Sequence, residues 1–129
     1  MGYANASILT GNEMDGKHFV GGSLSLEDKV VSKIYDDLLA RTVVMSDNSG
    51  RGKVAFVSVD AYGISSTDVR AIRASLADFC EANDIVSLNI SVLHQHSAVD
   101  TLGMNGSIFK ALGNAGKADP VNGINDEYM

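Results

Sequence analysis

Three stretches of the chain carry apolar residues at a readable period. The run Lys53-Val54-Ala55-Phe56-Val57-Ser58-Val59-Asp60 is apolar at both odd and even positions. That is the pattern of a strand lying centrally in a sheet covered on both faces. The shorter run Ala40–Met45 is rich in β-branched residues, which favour a pleated surface. Between them lies Asp47-Asn48-Ser49-Gly50-Arg51-Gly52, where Asp and Asn cap locally and Gly supplies positive φ. The two runs predict an antiparallel hairpin over about 40–46 and 53–60. The second pattern is helical. Val69, Ile72, Leu76 and Phe79 recur at spacings of 3, 4 and 3, one apolar helix face. Ser65 stands three residues before Asp68, close to the spacing of a capping box. A helix is predicted over about 66–82. The third pattern has period 2. Leu88, Ile90, Val92, His94 and His96 fall on one face of a strand running from Ile85. These elements predict an α/β fold of the α+β kind. Its sheet is mixed or mainly antiparallel, and a third strand over about 86–95 ends in an H-x-H motif.

The flanking segments are less regular. Residues 1–23 are read as irregular, with Gly11, Gly16, Gly21 and Gly22 punctuating a polar stretch. Loops that long in a compact domain are usually functional. Residues 25–34 carry a helix-start signal in Ser25, Glu27 and Asp28, opposed by β-branched Val30, Val31 and Ile34. A short helix is expected near 107–112, and the acidic residues at 126–127 could open another. The 129 residues fit a single domain.

Composition narrows the function classes. Ten Lys+Arg against sixteen Asp+Glu give a net charge of −6, and no basic cluster offers itself to nucleic acid. One cysteine excludes an intrachain disulfide framework and a multi-cysteine zinc module. No apolar run approaches the roughly 20 residues of a membrane helix. The start, Met1–Asn5, lacks the features of a signal peptide.

The sharpest chemical feature is His94-Gln95-His96. On a strand, residues i and i+2 point the same way, so both imidazoles are expected to leave one face a few Å apart. Neutral imidazole is a favoured zinc ligand, and its second nitrogen needs an outer-shell acceptor. Asp60 and Asp100 are the candidates for that acceptor. On spacing alone a hydrogen-bonded pair at the rim of a core is the commoner reading of such a motif. A catalytic zinc site usually takes three protein ligands. His18, Glu13 or Asp60 could complete the set, or the rest lies outside the chain. Asp60 is open to three roles: ligand, base or strand-end acceptor. Cys80, beside Phe79 on the helix, is read as a core thiol, and Asp36-Asp37 as a solvated turn.

The stretch Asn89–Gly106, NISVLHQHSAVDTLGMNG, resembles a signature of the neutral/alkaline, non-lysosomal ceramidase family. That signature is roughly a hydrophobic strand followed by T-H-T-H-S-G-P-D-T-x-G. Met1-Gly2-Tyr3 is similar to the family's early Met-Gly-Tyr loop. Ile34–Arg41 resembles its segment ending in L-Y-A-R, and Lys53–Gly63 its second strand ending in V-S-x-D. Leu93 and Gln95 stand where the family has Thr, and Ala98-Val99 where it has Gly-Pro. These departures mark a divergent branch.

The resemblance implies a zinc-dependent amidohydrolase that cleaves the amide of N-acylsphingosine-like lipids. It makes His94 a zinc ligand and His96 a catalytic residue beside the metal, hydrogen-bonding or polarising the substrate. It also implies that the remaining ligands, a histidine, a glutamate and a tyrosine, come from a longer catalytic domain of which this chain is an amino-terminal part. The isolated chain is then expected to be inactive. The competing expectation is a non-catalytic small α/β binding or scaffold module with His94 and His96 as a structural rim pair.

Overall fold

The computed structural model describes residues 1–22 and 29–103. Its centre is a four-stranded mixed sheet in the order β1-β2-β3-β4. The strands are β1 (Gly2–Ser7), β2 (Leu39–Met45), β3 (Lys53–Val59) and β4 (Ile85–Val92). Two helices, α1 (Ser66–Ser75) and α2 (Ala77–Ala82), lie between β3 and β4. The expected helix near 107–112 and the acidic helix-start signal at 126–127 fall outside the described residues.

The hairpin forms as its pattern predicts. β2 and β3 pair antiparallel from Ala40↔Val59 to Met45↔Val54. The turn between them takes positive φ at Asn48, Gly50 and Gly52, and Asp47 Oδ1 accepts from the Ser49 N–H at 3.0 Å. Gly52 is the tight position, because a Cβ there would meet Val86 Cγ1 at 2.4 Å.

The first correction concerns residues 1–23. Residues 2–7 are not loop but the edge strand β1, antiparallel to β2 from Gly2↔Val44 to Ser7↔Leu39. Gly, Asn and Ala are weak strand formers, so this segment carries no signal of its own. Its strand character comes from pairing with β2, where Tyr3 sits opposite Val43, an aromatic to β-branched cross-strand pair.

The helical stretch is interrupted. α1 opens on Ser65, whose Oγ accepts from the Asp68 N–H at 3.1 Å and donates to Asp68 Oδ2 at 2.5 Å. It closes at Leu76 (φ −99°, ψ 6°), and α2 begins one residue later. Beside the break, Ser75 Oγ donates back to the Ile72 carbonyl at 2.9 Å, a contact that bends helices. The helices carry the chain from β3 to β4, which run parallel, as a crossover connection requires.

The helix-side face of the sheet holds Ala55, Val57 and Leu88, and with Leu76, Phe79 and Cys80 they line a cleft of 410 Å³. Ala55 is buried and Cys80 half-buried. The opposite face carries Met45, Phe56 and Val86, which are 43%, 47% and 65% exposed. β3 is therefore central but, among the described residues, covered on one face only. The two-sided cover expected from its apolar run is not found there.

Most of the deeply buried residues lie beyond the sheet, at the C-terminal ends of β3 and β4. Ala61, Ala98 and Val99 are buried there with Asp60, Asp100 and Thr101. A second pairing layer seals this end. Phe19 bridges Val30, Val20 bridges Val99, and the Gly21 N–H donates to the Ala98 carbonyl at 2.7 Å. Residues 29–31 are thus extended, so the helix considered over 25–34 does not include them. The β-branched Val30 and Val31 prevail over the acidic start signal. No helix among the described residues is long and apolar enough to cross a membrane.

Candidate functional site

The crossover brings two loops together at the C-terminal end of the parallel pair, where open α/β sheets commonly hold ligands. β4 ends at Val92, before the histidines, but the chain still follows the end of β3. The Leu93 N–H donates to the Val59 carbonyl at 3.0 Å, and the Gln95 N–H to the Ala61 carbonyl at 3.2 Å. Residues 93–96 therefore run beside 59–62.

His94 lies in this stretch at φ 58°. Left-handed backbone costs an L-residue about 1–2 kcal/mol, and it breaks the alternation that placed His94 and His96 with Leu88, Ile90 and Val92. The two rings nevertheless meet, with centroids 5.3 Å apart and planes at 89°. Their proximity comes from the left-handed residue rather than from the strand pleat. Both histidines are exposed.

Tyr62 completes the cluster. Its ring lies 4.7 Å from that of His94 at 31° and 5.0 Å from that of His96 at 82°. Its carbonyl is 2.9 Å from His94 Nδ1. A carbonyl only accepts, so Nδ1 carries the proton, and neutral His94 keeps its lone pair on Nε2. The partner of the His94 Nδ1–H is the Tyr62 main chain, not the Asp60 or Asp100 side chain expected from the sequence.

Gly22 forms the other wall. A Cβ there would fall 2.7 Å from His96 Cγ and Nδ1 and 2.9 Å from Tyr62 Cδ2, on backbone already at φ +88°. Only glycine fits so close to the rings at that φ. Tyr62 and Gly22 are the site residues that patterning misses. Tyr62 carries no motif of its own, and Gly21-Gly22 reads only as punctuation of a polar stretch.

The other candidates are engaged in local structure. Asp60 Oδ2 accepts from the Leu39 N–H at 2.9 Å and Oδ1 from Arg41 at 2.5 Å. The Arg41 hydrogen bond holds the Asp60 carboxyl below its ordinary range, against the upward push of burial. Of the three roles open to Asp60, the strand-end acceptor is the one its bonds display. Glu13 is buried and accepts from Thr10 and Gly11. Burial raises its pKa, but those donors outweigh it and the net shift is downward. Asp100 Oδ1 accepts from the N–H groups of Leu102 and Gly103 at 2.9 and 3.0 Å. His18 is buried, with Nδ1 3.0 Å from Asp15 Oδ1. Among the described residues, no three His, Cys, Asp or Glu side chains gather as a metal-holding group. A separate cleft of 410 Å³ lies on the Gln95 and Ser97 side of the same loop, floored by Val20, Val31 and Val99.

Met1–Tyr3 lies far from the histidines. Gly2 pairs with Val44 in β2, at the opposite end of that strand from Leu39, which the Asp60 carboxylate holds. The chain matches no family model, no curated protein and no solved structure.

Proposed function

We propose that the chain carries part of a zinc centre in an amidohydrolase resembling the neutral ceramidases, acting on N-acylsphingosine-like amides. His94 is the metal ligand and His96 the neighbouring polar residue. The observation that carries this reading is the state of His94. Its Nδ1–H is taken by the Tyr62 carbonyl, which leaves Nε2 as a lone-pair donor. Metal-ligating histidines commonly show this arrangement.

The residues fit the ion. The His94 and His96 ring centroids are 5.3 Å apart, so His96 stands beside a metal that His94 would hold. In this reading the further ligands come from outside the described residues. Bound zinc would polarise the scissile carbonyl and lower the pKa of an attacking water. His96, held edge-on to Tyr62, would donate a hydrogen bond to the substrate carbonyl. The Gly22 backbone keeps the ring in place on its other side.

Calorimetric titration of zinc into the 129-residue chain and its His94→Ala variant tests this. Micromolar binding that weakens at least tenfold in the variant supports the reading. Binding that survives the substitution unchanged counts against His94 as ligand. The rim-pair alternative is favoured by the exposure of both rings and the Tyr62 stack on His94. It predicts lower stability for His94→Ala with no zinc-dependent difference.

A further inference from the structure

We infer that Tyr62 is the positioning residue of this site, and that its aromatic ring and main-chain carbonyl together select the Nδ1-protonated form of His94. The inference rests on the zinc reading for its purpose but not for its test. Two independent contacts converge on one imidazole. The carbonyl, 2.9 Å from Nδ1, accepts a hydrogen bond from the Nδ1–H and favours that tautomer. The ring, 4.7 Å away and tilted by 31°, covers one face of the imidazole and holds its plane. Neither contact suffices alone. A hydrogen bond to an exposed imidazole leaves the ring free to swing about χ2, and a stack without the hydrogen bond does not choose a nitrogen.

The backbone is arranged for this pairing. His94 accepts a left-handed φ of 58°. The Gln95 N–H is tied to the Ala61 carbonyl, one residue before Tyr62. The same Tyr62 ring meets His96 edge-on at 5.0 Å, and Gly22 lies tight against the His96 and Tyr62 rings. The Tyr62 ring therefore packs against both imidazoles, and its loss frees both. The phenolic oxygen takes no part in these contacts, so phenylalanine should serve as well as tyrosine. Tyr62→Ala keeps the carbonyl but removes the ring that holds the imidazole against it, and mutation of an outer-shell partner in a metal site typically weakens metal binding by about 10–100-fold.

The test combines a spectroscopic and a binding readout on the 129-residue chain. At about pH 8, where histidine is largely neutral, long-range ¹H–¹⁵N correlation spectra of the metal-free protein report which His94 nitrogen is protonated. The wild type and Tyr62→Phe should show Nδ1–H alone, and Tyr62→Ala a mixture of tautomers. Zinc affinity should hold within about twofold in Tyr62→Phe and fall about 10–100-fold in Tyr62→Ala. Tyr62→Leu replaces Tyr62→Ala if circular dichroism shows the latter unfolded. A wild-type His94 protonated on Nε2 overturns the inference, as does a Tyr62→Ala protein whose tautomer and affinity match the wild type. If the wild type binds no zinc, the functional reading fails, and the tautomer comparison still decides the role of Tyr62.

Discussion

Asp60 and Arg41 show how a single pair of residues holds the site end of the sheet. The Asp60 carboxylate is buried and fastens β3 to β2 through the Leu39 N–H and Arg41. Replacing it with Ala leaves both donors without their acceptor. We expect a loss of about 2–3 kcal/mol in urea denaturation. Its pH dependence has a definite sign. The folded-state pKa lies below the unfolded one because Arg41 hydrogen-bonds to the charged form. The stabilisation is therefore complete above the ordinary carboxylate pKa and is lost as pH falls through the folded value. The gap in urea midpoint between wild type and Asp60→Asn should be constant near neutrality and shrink below about pH 4. A gap that widens on acidification would contradict this assignment. Gly22 is the second test at this scale. Gly22→Ala places a Cβ 2.7 Å from the His96 ring and should displace the His96 imidazole resonances strongly while leaving those of the hairpin unchanged.

Elements differ in how much of them could be read from the chain. The hairpin and the central position of β3 were legible, because long apolar runs joined by Asp-Asn-Ser-Gly chemistry have few alternatives. The Ser65 cap was legible for the same kind of local reason. Ser65→Ala should cost about 1 kcal/mol in chemical denaturation, and a change below about 0.3 kcal/mol would mean that the cap does not stabilise α1. The break at Leu76 was not legible, since apolar spacing persists across it. β1 was missed because Gly-Tyr-Ala-Asn-Ala-Ser is extended only by virtue of the strand beside it. The site was legible in part. The H-x-H pair announced itself, and its rings do meet. The reason offered, strand alternation, was wrong, since β4 ends at Val92 and a left-handed His94 sets the ring positions. A single residue departing from pleated geometry leaves no trace in a period-2 pattern.

At the scale of the whole molecule, the buried polar groups among the described residues sit at one end of the sheet, and these residues leave an apolar face across its middle uncovered. Glu13, His18, Asp60, Asp100 and Thr101 are buried, all in the loops and strand ends around the histidines. This asymmetry suits a scaffold that orders a site at the C-terminal ends of its strands. His94 alone falls short of the three protein ligands usual in catalytic zinc sites. Accordingly, the purified 129-residue chain should not turn over a fluorescent N-acylsphingosine analogue. Turnover abolished by a chelator would show that the described residues are nearer to a complete centre than the ligand count implies. The most direct test of the central claim is zinc K-edge X-ray absorption on the zinc-loaded chain and its His94→Ala variant. The zinc reading predicts nitrogen or oxygen scatterers at about 2.0–2.1 Å, with an imidazole outer-shell signal that diminishes in the variant. A sulfur scatterer at about 2.3 Å, pointing to Cys80, or a spectrum unchanged by the substitution, would contradict it.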